Sequence, residues 1–474
     1  MTATETPVDE ETPLLQQQPK KKTPLPWSQY SLVLLLQLGE PMTSQVIYPF
    51  APQLIRDLGI TGGDETKVGY YVGIMQSLFF FTQAWTVLHW SRLSDRVGRK
   101  PVILIGLFGL SMSMYCFGLS TTFWGLVMSR ALNGALNGNI GVIKSMMAEL
   151  TDSTNIAQAY AYMPIAWSTG GTLGPIIGGS LSHPAERFPS LFGNSEFLKK
   201  YPYFLPCAVP ATYTVCAWLI TYIFLKETVQ RPTSFRSLIF GPDKKLKLEQ
   251  NQVATVDDSD DKPLPLRSLL VFRVIIAASN YAFLSLVDIA FRAIQPVFLS
   301  TPIEMGGLGL PPSTIGNILS VYGVLNGFIQ IFFFAKMHDR WGSKKVFTAG
   351  IAACIPMFLL FPIINYLARS QGLTPLVWGF VSLQVGLAMM PSLSFSSIFI
   401  FITAASPNKA SLGATNGLCQ VAVSVMRAFG PAAANSLFSL SMAYNLLGGY
   451  LVYYILVVIV GIALFVASIL PSSV

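Results

Sequence analysis

Charge is what this 474-residue sequence has least of: Asp, Glu, Lys and Arg make up 11% of it. A soluble domain carries roughly a quarter. With 52% of the residues apolar, a water-soluble globular class is excluded. Histidine is nearly absent. His89, His183 and His338 lie far apart near the ends of apolar segments, which excludes a histidine metal cage. The five cysteines, Cys116, Cys207, Cys216, Cys354 and Cys419, form no CxxC pair and sit in apolar stretches. That pattern excludes a disulfide framework and a thiolate metal site. No nucleophile–base pair, metal-ligand spacing or phosphate loop is present, so neither an enzyme nor a cofactor is expected. The first 28 residues lack an uninterrupted apolar core, and the first apolar span is expected to direct insertion.

Long apolar runs are what the sequence does have. Pro101–Leu119 and Leu451–Leu470 are long enough to cross a bilayer, which takes about 20 helical residues. Backbone groups in lipid need partners within their own segment, so such runs are helices. Spans are predicted near 29–50, 68–90, 101–120, 122–147, 159–181 and 202–225. A second set falls near 271–299, 314–336, 346–367, 374–403, 411–440 and 446–469. The net charge of +8 gathers in short loops, where it fixes topology rather than binding nucleic acid. Arg92, Arg96, Arg99 and Lys100 separate spans 2 and 3, and Lys336, Arg340, Lys344 and Lys345 separate spans 8 and 9. Lys20, Lys21 and Lys22 precede span 1, and Lys244, Lys245 and Lys247 lie between spans 6 and 7. The 3–4 and 11–12 connections hold no Lys or Arg. Both termini are therefore expected in the cytosol.

The halves repeat at an offset near 247 residues. Val68-Gly69 answers Ile315-Gly316, and Gln83 answers Gln330. Tyr48-Pro49-Phe50 answers Gln295-Pro296-Val297. Asp95-Arg96-Val97-Gly98-Arg99-Lys100 answers Asp339-Arg340-Trp341-Gly342-Ser343-Lys344, and Gly174-Pro175 answers Gly430-Pro431. Repeated span sets are how many carriers place a central site between two halves. The predicted fold is an all-α membrane protein of twelve transmembrane helices in two six-helix pseudo-symmetric bundles. Its divisions are a cytosolic tail 1–28, a bundle 29–225, a cytosolic linker 226–270 and a bundle 271–470.

The stretch from Trp90 to Pro101 resembles the 2–3 loop motif of the major facilitator superfamily. Gly98 permits a tight turn, and Asp95 offers an anion for a helix start. In span 5, Gly170, Gly174, Pro175, Gly178 and Gly179 resemble the motif of proton-linked antiporters in that superfamily. Small residues at this spacing let helices approach closely. Glu40-Pro41, the run from Gly138-Asn139 through Lys144 to Glu149, and Asp152 to Asn155 resemble fungal relatives of the zinc-induced-facilitator-like carriers. That match lies within the drug:proton antiporter group and covers about residues 29–470. Ser91 replaces the usual loop glycine, and the plant members' paired cysteines before span 1 are absent. Lys226-Glu-Thr-Val-Gln-Arg231 replaces their histidine-bearing motif after span 6. The resemblance thus implies the fold and solute transport rather than zinc.

Ionisable groups inside spans are costly, roughly 3 kcal/mol each, and mark pathways. They fall here on helical faces. Span 1 carries Gln37, Glu40 and Ser44; span 4 carries Arg130, Asn133, Asn137, Gly141 and Lys144. Span 7 carries Tyr281, Ser285, Asp288, Arg292 and Gln295; span 11 carries Asn416, Gln420, Ser424 and Arg427. In the fold implied by the resemblance these spans surround the substrate path, so the stripes predict a wet central cavity. Asp288 and Arg292, four residues apart, can also neutralise each other. Glu40, with no cation four residues away, ranks first as a proton-coupling site and Asp288 second.

The expected function is secondary transport, with proton-coupled antiport that exports or sequesters a small organic solute. A facilitator or symporter is the alternative, and a sensor with the same fold ranks below both. The expected partners are a small-molecule substrate, protons and the lipid bilayer, and the expected state is a monomer. Asp95, Arg96, Gly98, Arg99, Lys100, Glu149, Asp152, Asp339 and Arg340 are expected to form a conformational switch. Asp95 is expected to meet the start of span 11, and Arg99 to reach Glu149 or Asp152. Glu10, Leu14 and Leu15 resemble an acidic dileucine sorting signal, which points to a vacuolar or endosomal membrane. The plasma membrane is the other expected location.

Overall fold

The computed structural model describes residues 23–152, 155–229, 266–407 and 412–471. The sorting signal at Glu10, Leu14 and Leu15, and most of the 226–270 linker, lie outside the described residues. Among those described, all regular secondary structure is helical, as the bilayer demands. Helices make twelve passes. Span 1 is Trp27–Gln45, extended by Ala51–Asp57; span 2 is Val68–Val97 and span 3 is Arg99–Leu119. Span 4 comprises Phe123–Leu136 and Asn139–Leu150, span 5 is Ile156–Leu181 and span 6 is Phe204–Phe224. In the second half, span 7 is Phe272–Ser300 and span 8 is Pro312–Phe332. The segment Phe334–Ala352 turns at Gly342: its first part continues span 8, its second begins span 9, and span 9 runs on through Cys354–Gln371. Span 10 runs through Pro375–Leu387 and Met390–Ala405. Leu412–Ala443 and Leu451–Ser468 are spans 11 and 12.

Several predicted spans are interrupted where continuous helices were expected, span 4 among them. Span 4 breaks at Asn137 (φ −83°, ψ 69°). A break strands carbonyls, and the Trp90 indole donates to one of them, Ala135 O, at 2.7 Å. The 2–3 and 8–9 turns share one device: Gly98 (φ 112°) and Gly342 (φ 78°) occupy backbone space that side chains disfavour.

Six helical segments are long and apolar enough to cross a membrane on composition alone. They are spans 3, 6, 7, 9, 10 and 12. Large side chains such as Phe108, Tyr222, Val458 and Phe465 stay exposed, as lipid-facing surface does.

The bundles meet through spans 2 and 11 and spans 5 and 8, tightly at one end. We call the end carrying the 2–3 and 8–9 loops the basic end and its opposite the distal end. A Cβ on Gly179 would lie 2.5 Å from Pro312 O, and one on Gly316 would lie 2.4 Å from Pro175 O. Across spans 2 and 11, Tyr70 N donates to Ser439 Oγ at 3.0 Å and Ala432 N to Ser77 Oγ at 2.8 Å. One apolar core joins both bundles, and in the second it continues toward the basic end as far as Phe347, Ala467 and Leu470. A separate one around Val33, Ile103, Val142 and Met146 belongs to the first bundle alone, toward the basic end. The molecule is therefore sealed distally, with its interior facing the basic end.

Candidate central cavity

Pro41 has no N–H, so the Gln37 carbonyl loses its usual helical donor next to Glu40. Glu40 is half-buried and accepts from Gln83 Nε2 of span 2 at 3.4 Å. Three more polar groups face it: Asn137 and Lys144 from span 4, and Arg427 from span 11. Both cations come from other helices, one of them from the other bundle. A reading along span 1 alone could not find them. Lys144 is exposed, yet protein walls it on nearly all sides, as befits a group projecting into an internal cavity.

Deeper toward the distal seal, Arg130 is 4% exposed and its guanidinium carbon lies 4.6 Å over the Phe79 ring. Its Nε and Nη1 have no protein partner, nor do Asn133 Oδ1, Gln37 Oε1 or either amide atom of Asn137. A small void beside Arg130 is lined by Ser44, Ile47, Tyr48, Met75 and Gln76. Tyr48 lies within electrostatic reach of Arg130, Asp288, Arg292 and Arg427, so it stands between the two halves' charges. It entered the sequence argument only through the repeat, because an isolated aromatic residue carries no polar-stripe signal.

In span 7, Asp288 and Arg292 are paired at 2.9 Å, and Arg292 Nη2 donates to Tyr322 OH at 3.1 Å. Asp288 therefore has a fixed cation of its own, whereas among the described residues Glu40 makes no ion pair and feels Lys144 and Arg427 only at longer range. Tyr281 packs edge-on against Phe395 and Phe399. Asn416 is exposed and Gln420 half-buried on span 11.

The span-5 glycines serve two neighbours. Added Cβ atoms on Gly170, Gly174 and Gly178 would lie 2.7 Å from Pro41 Cγ, 3.0 Å from Gln45 Cβ and 1.9 Å from Val46 O, all on span 1. Gly179 and the Pro175 carbonyl instead face span 8.

At the basic end, Arg99 is 8% exposed. It donates from Nη2 and Nε to Glu149 Oε1 at 2.8 and 3.1 Å, and from Nη1 to Ser94 Oγ at 2.6 Å. The other carboxylate oxygen of Glu149 accepts from the Thr228 hydroxyl. Asp152 accepts from the Thr23 hydroxyl. Glu227 was not singled out in the sequence. It accepts from Arg99 N at 2.8 Å and Lys100 N at 3.1 Å, capping the start of span 3. Arg96, Asp339 and Arg340 are exposed. The Asp95 side chain lies outside what is described. Among the described residues no cluster of His, Cys, Asp and Glu could hold a metal.

Two six-helix bundles around a polar cavity, sealed at one end only, define a membrane transporter of the alternating-access kind. The chain belongs to the Major Facilitator Superfamily, whose sequence profile matches residues 33–287. It is 30% identical to the major facilitator-type transporter psiT2 of Psilocybe cyanescens, over 92% of this chain and 89% of that one. It is 28% identical to Protein ZINC INDUCED FACILITATOR 1 of Arabidopsis thaliana, over 94% and 93%. Its fold is similar to the crystal structure of a bacterial homolog to the human lysosomal transporter Spinster, in an inward-facing and unoccupied conformation. The TM-score is 0.64 at 15% identity, covering 94% of this chain and 97% of that one. The protein is thus an integral multi-pass transporter of small molecules and not an enzyme.

Proposed function

We propose that the protein is a proton-coupled antiporter that takes a small organic solute from the cytosol and exports or sequesters it. The observation that carries this reading is the place of Glu40. It is a half-buried carboxylate on the cavity wall, shared by spans 1, 2, 4 and 11 and therefore by both bundles. A carboxyl balanced between burial and distant cations can load and release a proton. The span-5 glycine–proline motif, seated against spans 1 and 8, supports exchange. The Lys and Arg pattern supports a cytosolic basic end, with cytosolic tail 1–28 and linker 226–270 flanking bundles 29–225 and 271–470. The membrane is vacuolar or endosomal if residues 10–15 act as a sorting signal, and the plasma membrane otherwise. The working unit is a monomer.

The test is flux in reconstituted liposomes. Glu40→Gln is expected to abolish pH-gradient-driven transport while solute binding stays measurable. Full gradient-driven flux in that variant removes Glu40 as the coupling site.

A further inference from the structure

Lys144 of the first bundle and Arg427 of the second face each other across the cavity, within electrostatic reach. Neither makes a hydrogen bond or ion pair with any described residue. Arg292 has Asp288 as its own carboxylate, and Arg130 is 4% exposed, with its guanidinium over the Phe79 ring. Two facing cations and one shared carboxylate, Glu40, therefore remain on the accessible wall. Beside them Asn137, 1% exposed, faces Glu40, yet neither of its amide atoms has a partner at hydrogen-bond distance. This is an incomplete polar site: two cations share one carboxylate, which leaves one positive charge without an anion to offset it.

We propose that the transported solute is amphoteric, with a carboxylate or phosphate held between Lys144 and Arg427 and a protonated amine held by Glu40.

The anionic half follows from the cation pair. Because the two cations come from different bundles, an anion between them also lowers the repulsion that opposes closing the basic end. A loaded carrier then closes more readily than an empty one. The amine half follows from the coupling, and it rests on the antiport reading above. A solute with only an anionic group would bind best when Glu40 is protonated, because a charged Glu40 competes for the same cations. Proton and solute would then travel together. Antiport requires the reverse, that solute and proton exclude each other at Glu40. An ammonium group taking the proton's place does so. The groups that face Glu40 from the helices around it are Gln83, Asn137, Lys144 and Arg427, and none of them is a second carboxylate for that ammonium.

The experiment measures binding to the purified full-length protein in weakly buffered solution. The probes are a panel of amino acids and aminoalkyl phosphates. Each is paired with its deaminated acid and with the amine that lacks the acidic group. The expected hits are amphoteric members, each releasing protons as it binds. Lys144→Gln or Arg427→Gln should weaken them about tenfold or more, the size expected for loss of a charge-assisted hydrogen bond. Glu40→Gln should weaken the amphoteric members and tighten the matching acids. Hits confined to amines, or amphoteric hits indifferent to both cation variants, overturn the proposal, as does a panel without an amphoteric hit. Acids that bind as tightly as their amphoteric partners and take up protons overturn the amine half. Failure of antiport is read separately: gradient-driven flux that survives Glu40→Gln sinks the coupling, whatever the panel binds.

As a second readout, a cysteine at the basic-end mouth is labelled without solute, in a background stripped of native cysteines. Lys144→Gln should reduce its labelling because the repulsion that holds the mouth apart is gone. Labelling equal to the parent's overturns the closure argument.

Discussion

Arg56, just past span 1, reaches across the bundle interface to Ser300 at the end of span 7. It donates from Nη2 to the Ser300 carbonyl at 3.0 Å and from Nη1 to its hydroxyl at 2.6 Å. Its Nε is held by Glu65 at 2.9 Å, so the guanidinium is aimed before it binds. The last turn of a helix carries partial negative charge and unpaired carbonyls. The contact is a latch on the distal seal. Hydrogen bonds to charged groups contribute about 1.5–3 kcal/mol each. Arg56→Gln is expected to raise distal opening about tenfold or more. Labelling of a cysteine placed at Ser44, from the distal side, checks this; unchanged labelling removes the latch. Glu65→Gln should give a smaller shift in the same direction, because it only loosens the aim.

The seal also depends on absent side chains. Gly316→Leu would drive carbon into Pro175 O and Gly179, which cannot close over it. Such overpacking costs about 1–3 kcal/mol where neighbours can adjust, and here the neighbours are backbone. The expected result is a carrier that folds, labels readily from the distal side and has lost most transport. Gly171→Ala is the internal control, since a Cβ there meets nothing within 4 Å. Transport reduced equally by both substitutions would mean that the span-5 region tolerates no change at all.

These glycines also mark how far sequence reading reached. Their spacing announced a close helix contact, and the partner spans were invisible. Gly178 and Gly179 are adjacent in sequence yet face different bundles. The apolar runs and the repeat made the twelve-pass architecture legible, because lipid imposes a one-dimensional pattern on the chain. The break at Asn137 was hidden because the indole that satisfies it, Trp90, lies 45 residues upstream. The polar stripes pointed to the cavity. Which charges are shared was settled by neighbours across helices, as with Lys144 and Arg427, while the Asp288–Arg292 pair was readable from its four-residue spacing.

The 2–3 turn yields a third prediction. Gly98 sits at φ 112°, and a Cβ there would lie 2.4 Å from Glu227 Oε2. Gly98→Ala therefore strains the backbone by about 1–2 kcal/mol and displaces the carboxylate that caps span 3. Glu227→Ala removes only the cap, at a cost of about 1 kcal/mol. Both variants should speed amide hydrogen exchange at Arg99 and Lys100, more so for Gly98→Ala. Protection equal to the parent's in Glu227→Ala would show that the cap contributes nothing to the start of span 3.

At the distal surface a pH response is built around His183. Its Nε2 lies 2.9 Å from Asp57 Oδ2 and 2.9 Å from Tyr203 OH, and the Tyr203 hydroxyl also donates to Asp57. The hydrogen bond to Asp57 raises the His183 pKa against an opposing effect of burial. Burial raises the Asp57 carboxyl, but the bonds from His183 and Tyr203 outweigh it and leave that pKa lowered. The signs then follow. A raised histidine stabilises the fold fully below its unfolded pKa of about 6.5, and the gain is lost as pH rises through the raised value. A lowered carboxyl stabilises the fold above its unfolded pKa of about 3.9, and the gain is lost as pH falls through the lowered value. The pair therefore contributes most in mildly acidic solution. With side chains 26% and 30% exposed, screening limits the contribution to about 1 kcal/mol or less. In purified protein, the melting temperature should decline as pH rises from mildly acidic through the histidine's raised pKa. Asp57→Asn should flatten that decline and lower the acid-side melting temperature. Tyr203→Phe should keep the decline, because the charge pair survives it. A parent protein whose melting temperature matches that of Asp57→Asn at every pH would show that the ion pair does not stabilise the distal end.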